Sequence, residues 1–180
     1  MHEDMDRVLL TREQIAEKVA ELGRALSQEY DGRTPLMVCV LKGSVLFFAD
    51  LLRQMDIPVE MDFIAVSSYG RFTGSSGEVK LVKDLDVSIE GRDVVVVEDI
   101  LDSGLTLNYL TDMLRSRRPA SLKICALLDK PERRKVKIEA DYVGFTVPNE
   151  FVVGYGLDFS ERYRNLPDVC VLKESVYSRK

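Results

Sequence analysis

A single histidine, His2, stands near the start of the 180-residue chain, and this scarcity argues against a histidine general base or a histidine-bound metal. Base chemistry therefore falls to a carboxylate. Cysteine is nearly as scarce. Cys39, Cys125 and Cys170 are odd in number, widely spaced and set in apolar runs, so they read as small buried hydrophobes and form no Cys-x-x-Cys pair. The thiols, the lack of an 18-residue apolar stretch and the lack of a signal-peptide core predict a cytoplasmic location with no membrane partner. No Gly-x-Gly-x-x-Gly follows a strand and no Gly-x-x-x-x-Gly-Lys-Ser/Thr occurs, so dinucleotide and triphosphatase loops are excluded. Excess basic charge is also missing. The net charge is −5, which argues against a general nucleic-acid binder, and the clusters Arg115–Arg118 and Arg133–Lys135 read as solvated helix ends and turns.

The most informative run present is Val94 to Leu107, where four valines lead into Glu98-Asp99, then Asp102-Ser103-Gly104-Leu105-Thr106. A continuous β-branched run suits a strand buried on both faces of a parallel sheet. Acids are unwelcome there for stability, but open α/β sheets bind ligands at the carboxyl ends of their strands. Ser103 to Thr106 can wrap backbone N–H groups and two hydroxyls around a phosphate at a helix start. Three acids beside such a cradle suggest a sugar phosphate with a divalent cation.

Along the chain, Thr11-Arg12-Glu13-Gln14 has the form of a capping box, and Ile15, Val19, Leu22 and Leu26 recur at helical spacing to about Ser27. Leu36–Leu41 reads as a buried strand, with Lys42-Gly43-Ser44 and a helix at 45–55 after it. A strand at 59–66, a Ser/Gly/Thr-rich loop at 67–77 and a returning strand at 78–82 predict a flexible hairpin. A strand at 94–97, a helix at 105–114 and a strand at 121–128 follow, then strand-like runs at 142–145, 151–155 and 169–172. This alternation predicts one α/β domain over 1–180. It would have a mostly parallel sheet, helices on both faces, the hairpin and a small β-rich hood from the carboxyl-terminal third.

The run at 94–107 resembles the fingerprint of the type I phosphoribosyltransferases. Further motifs are Leu41-Lys42-Gly43-Ser44, Ser68-Tyr69, Leu128-Asp129-Lys130 and Phe151 to Asp158 through Arg164. Taken in order, they are similar to the hypoxanthine-guanine branch of that family, its bacterial members most, over nearly the whole chain. The resemblance implies transfer of phosphoribose from 5-phosphoribosyl-1-pyrophosphate to a 6-oxopurine. Nearer rivals are enzymes preferring xanthine or adenine. RNA-binding, nucleotide-responsive regulators on the same scaffold are a different class, and they resemble one another in lacking an acid at the position of Asp102.

The same resemblance implies the roles. Glu98 and Asp99 would accept hydrogen bonds from ribose hydroxyls, or from water on a magnesium ion those hydroxyls ligate. Asp102 would act near N7 of the purine as general base or stabiliser. Ser103, Gly104, Leu105 and Thr106 would bind the 5-phosphate, with the Leu105 side chain turned away. Leu41, Lys42 and Gly43 would bind pyrophosphate through a loop with a cis peptide before the lysine. Asp158 would ligate a second magnesium, and Arg164 would contact pyrophosphate. Phe151 would stack on the purine, Val152 would offer backbone groups to its edge, and Lys130 would meet its 6-oxygen. Ser68 and Tyr69 would ride on a lid over the reaction centre. A homodimer or homotetramer is expected. Taken singly, each residue also has a plainer reading: Lys42 and Lys130 as solvated caps, Arg164 as a surface arginine, Phe151 as core.

Overall fold

The computed structural model describes residues 2–68 and 79–178. The first strand, β1 (Met5–Leu10), precedes helix α1 (Arg12–Glu29). The capping box is present: Thr11 Oγ1 accepts from Gln14 N at 3.3 Å, and Gln14 Oε1 accepts from Thr11 N at 2.9 Å. Such a cap stabilises a helix by about 1 kcal/mol. Ile15, Val19, Leu22 and Leu26 are buried, as their spacing predicts.

The main sheet is built from β2 (Leu36–Leu41), β3 (Glu60–Ser68), β4 (Val79–Lys83), β5 (Asp93–Leu101), β6 (Ser121–Asp129) and β7 (Tyr142–Thr146), in the order β4-β3-β2-β5-β6-β7. Every pairing is parallel except β3 with β4. Helices α2 (Val45–Arg53) and α3 (Leu105–Ser116) join the units, and the apolar runs of β2 and β5 are buried as predicted for central parallel strands. Two apolar clusters cover the sheet. One contains α1 and α2 residues such as Leu26 and Phe47, and the other α3 residues such as Leu110 and Leu114. Cys39, Cys125 and Cys170 are buried and unpaired.

Three expectations need correction. The central strand runs on through the acids to Leu101, because β6 keeps pairing with it as far as Leu101↔Asp129 while β2 pairs with it only as far as Val97. One flank of Glu98 to Leu101 is thereby freed. The small sheet has the order β1-β9-β8, with β8 (Val152–Val153) and β9 (Val169–Leu172), so the hood also recruits the amino-terminal strand. The strand predicted at 151–155 is cut to two residues because Gly154 and Tyr155 take positive φ values of 99° and 48°. The Tyr69–Gly77 segment lies outside the described residues, and Ser68 is placed as the last residue of β3, paired with Val79. No helix among the described residues is long and apolar enough to cross a membrane.

Candidate active site

The carboxyl ends of β2, β5 and β6 meet at one edge of the sheet, where the loop after β2 packs between the Asp99 side chain of β5 and the backbone at Gly156. After β2 the Leu41–Lys42 peptide is cis, as the resemblance implies. A Cβ on Gly43 would fall 1.7 Å from Asp99 Oδ2, and one on Gly156 would fall 2.0 Å from Gly43 O. Only glycine lets these three chain segments approach so closely. The buried Ser44 hydroxyl donates back to Val40 O and ties the loop to its strand.

On this loop cluster, Lys42 Nζ lies 3.2 Å from Glu161 Oε2, and Arg164 Nη2 lies 3.3 Å from Glu161 Oε1 and 3.1 Å from Asp158 Oδ1. Arg164 Nη1 donates to Gly156 O at 2.7 Å, while its buried Nε has no hydrogen-bond partner among the described residues. Lys42, Arg164 and Asp158 are thus brought together as predicted. Glu161, which the sequence reading missed, bridges the two cations, and its hydrogen bond from Lys42 and the Arg164 charge hold its carboxyl below the usual range. Only a three-residue offset from Arg164 in the sequence hinted at it.

Glu98 and Asp99 are tied to their own backbone: Glu98 Oε1 accepts from Asp99 N at 3.1 Å, and Asp99 Oδ1 from Ile100 N at 2.7 Å. Withdrawal from water, then the neighbouring Asp99 charge, pushes Glu98 well above its ordinary value of 4.5. Burial also raises Asp99, partly offset by Arg164. A carboxyl whose folded value is raised costs stability as pH climbs from its ordinary value through the folded one, since the folded state binds the extra proton. Glu98→Gln should therefore raise the melting temperature of the free protein at neutral pH, with the gain shrinking toward pH 4.5. Calorimetry across that range checks it, and a difference independent of pH would count against it.

The Asp102–Gly104 turn is held from behind. Arg134, against the expectation of a solvated cluster, donates to Asp102 O at 2.7 Å and Leu101 O at 3.1 Å and pairs with Asp129, because the turn after β6 folds its guanidinium under the loop. Lys135 N donates to Ser103 O at 2.9 Å. Gly104 has φ +80° at the start of α3, where a Cβ would also strike Ile138. Ser103 Oγ accepts from Leu105 N at 3.4 Å, Thr106 is partly exposed in the first turn of α3, and the Leu105 side chain is exposed. Among the described residues none donates a hydrogen bond to Asp102 Oδ1. Arg133 Nε stands 2.8 Å from it, but its N–H is not aligned on that oxygen, so the contact is ionic.

Beside Asp102 opens a cavity of about 790 Å³ that Asp99, Asp158, Lys130, Phe151 and Val152 also line. Lys130 is only 5% exposed. Its Nζ donates to Glu150 O at 2.5 Å, and burial lowers its pKa from the usual lysine value. Phe151 is 38% exposed, while Val152 is buried. The core reading of Phe151 is therefore wrong, and the solvated-cap reading of Lys130 is wrong as well.

The phosphoribosyl transferase domain family matches residues 8–160. The chain belongs to that family. It is 57% identical to the hypoxanthine-guanine phosphoribosyltransferase of Bacillus subtilis, over 98% of either chain. It is 60% identical to the bifunctional protein TilS/HprT of Listeria monocytogenes over 99% of this chain, but spans only 28% of that protein's length. A crystal structure of the Staphylococcus aureus hypoxanthine phosphoribosyltransferase superposes with a TM-score of 0.94 at 51% identity, covering 98% of this chain and 96% of that one.

The phosphoribosyltransferase cavity has walls that no motif announced. Asp6 comes from β1, Lys173, Glu174 and Tyr177 from the chain end, and Glu150 from the turn before β8. These residues carry neither glycine punctuation nor a spacing rule, and the β1-β9-β8 sheet gathers them at the site. Among the described residues, no three acids, cysteines or histidines are grouped to hold a metal ion by themselves. Asp99 and Asp158 line the cavity, while Glu98, whose carboxylate accepts from the Asp99 amide, is not among its lining residues.

Proposed function

We propose that this phosphoribosyltransferase moves the 5-phosphoribosyl group from 5-phosphoribosyl-1-pyrophosphate to hypoxanthine and guanine, releasing pyrophosphate and a purine nucleoside monophosphate. The observation that carries the choice of base is the buried Lys130 ammonium at the cavity, a donor with no accepting capacity. The names of the relatives support the same reading.

In this reading the purine stacks on Phe151, with Lys130 at its 6-oxygen and Asp102 at N7. The 5-phosphate sits on the amides and hydroxyls of Ser103 to Thr106, at the amino end of α3, where the helix dipole favours an anion. A purine ring nitrogen bonds to the ribose carbon as the carbon–oxygen bond to pyrophosphate breaks, and the electron pair leaves with pyrophosphate. Lys42 and Arg164 receive that charge, and Asp102 takes up the proton the purine loses. Asp158 has a carboxylate at the cavity and fits a magnesium ion that keeps water and substrate oxygens as its other ligands. Bound there, magnesium would neutralise the phosphates. A homodimer or homotetramer and a cytoplasmic setting belong to the same proposal, the latter supported by three buried free thiols.

Pyrophosphate release measured in parallel with hypoxanthine, guanine, xanthine and adenine tests the reading, and preferential use of adenine would overturn it. Gly43→Ala probes the pyrophosphate loop. Its Cβ must push Asp99 aside, so kcat/KM for phosphoribosyl pyrophosphate should drop about 10- to 100-fold, as for a roughly 1 Å misplacement. Wild-type kinetics in that variant would remove the loop from the site.

A further inference from the structure

Tyr177 belongs to α4 (Glu174–Tyr177), the short helix that follows β9, and its ring lies against Phe151 with centroids 5.0 Å apart and planes inclined by 22°. Phe159 meets Phe151 edge-on at 5.6 Å and 89°. Phe151 and Tyr177 both line the cavity that holds Asp102 and Lys130. We propose that Tyr177 is a positioning residue for the purine: it forms the outer layer of an aromatic stack whose inner layer, Phe151, receives the base. The inference rests on the reading of this cavity as the base site.

Two rings so close and so nearly parallel leave no gap for a base between them, so a base reaches Phe151 from its other side. The other apolar residues of the cavity are Ile100, Val152, Leu157, Val171 and Leu172, and Asp102 and Lys130 line the same cavity. Tyr177 does not arrive at Phe151 by chance. Leu172 N donates to Phe151 O at 2.8 Å, so β9 is bonded to the Phe151 backbone, and α4 follows β9 after one residue. Lys173 then pins the start of α4 to the amino terminus, through its N to Asp4 O at 3.0 Å and its Nζ to Glu3 O at 2.6 Å. Val176 packs on the hood core on the far side. The ring contributes through its face, since a stacked aromatic pair prefers this offset arrangement and restricts the tilt of its partner.

Steady-state kinetics of the full chain, with guanine or hypoxanthine varied and phosphoribosyl pyrophosphate and magnesium saturating, separate this role from a structural one. Tyr177→Ala should raise KM for either purine about three- to tenfold, the usual worth of one aromatic pair, with kcat and KM for phosphoribosyl pyrophosphate changed by less than about twofold. Tyr177→Phe, which keeps the ring, should restore the wild-type KM. Tyr177 is 37% exposed, so the alanine variant should melt close to wild type. The chain has no tryptophan, so Tyr177→Trp supplies a single indole in the stack, and its emission should change when guanosine monophosphate is added. An unchanged purine KM in Tyr177→Ala, a lowered one (the ring then being a plug), no rescue by phenylalanine, or a silent indole would each overturn the proposal. Phe151→Ala distinguishes the two levels. If it also leaves purine KM unchanged, the base-site reading itself fails, and if it alone raises KM, only the role of Tyr177 does.

Discussion

Asp102→Asn is expected to lower turnover by roughly 10²- to 10⁴-fold, the range for losing a positioned acid/base group, while the fold and the binding of phosphoribosyl pyrophosphate persist. The free protein loses little with the carboxylate. Asp102 Oδ1 accepts no hydrogen bond from the described residues, and its ionic contact with Arg133 is between half-exposed groups, where such pairs contribute at most about 1 kcal/mol. The backbone on which residue 102 rides is fixed independently, by Arg134 on the carbonyls of Leu101 and Asp102. The single histidine, His2, is exposed in the amino-terminal turn and is not among the residues that line the cavity. Turnover measured alongside melting temperature and calorimetric binding of phosphoribosyl pyrophosphate decides the matter. Near-normal turnover would remove Asp102 from proton transfer, and a collapse of melting temperature would make its role structural.

Lys130→Met should cut kcat/KM for hypoxanthine and guanine far more than for adenine, narrowing the ratio between them. A buried ammonium offers three donors and no acceptor, so it matches a 6-oxygen and faces a 6-amino group donor to donor. A site built around such a donor can reject the wrong ligand by about 10⁴-fold, because that ligand leaves the donor unpaired in a place water does not reach. The 5% exposure of Lys130 supplies that condition, which a solvated lysine would not. In the free protein its Nζ is satisfied by Glu150 O, so the substitution also leaves that carbonyl without its donor, and a modest fall in melting temperature should accompany the kinetic change. Competition kinetics with adenine and hypoxanthine together give the ratio directly. A ratio unaltered from wild type would show that base choice is made elsewhere, at the backbone around Val152.

Much of this was legible locally. The valine run, the acids after it and the glycine turn before α3 are contiguous, and a contiguous motif carries its geometry wherever the chain places it. The α1 cap and its apolar stripe are of the same kind, because a 3.6-residue period and a capping box are interactions within four residues. The scarcity of histidine likewise needed no fold to assign proton transfer to a carboxylate. By itself, then, the amino-acid order determined the parallel α/β core and the acids and glycine turn that follow its central valine run.

What only the tertiary structure decided lies in contacts between distant segments. The β1 strand has exposed residues at Asp6, Arg7 and Val8 in succession and so shows no alternating period, and nothing in Met5–Leu10 announces that it will pair with Val169–Leu172 and close the hood. The pairing of Arg134 with Asp129 and its reach to the Asp102 carbonyl depend on how the turn after β6 folds back, and a basic triplet reads identically whether buried or solvated. Gly43 from the loop after β2, Asp99 from the end of β5 and Gly156 from the segment after β8 lie far apart in sequence, and their mutual contact is a property of the sheet edge where β2 and β5 end. The stack of Tyr177 on Phe151 exists because β9 hydrogen-bonds beside Phe151 and hands the chain end to it. Packing between segments far apart in sequence leaves no periodic trace in either one, which is why the inner surfaces of the site were readable from its motifs and its outer wall was not.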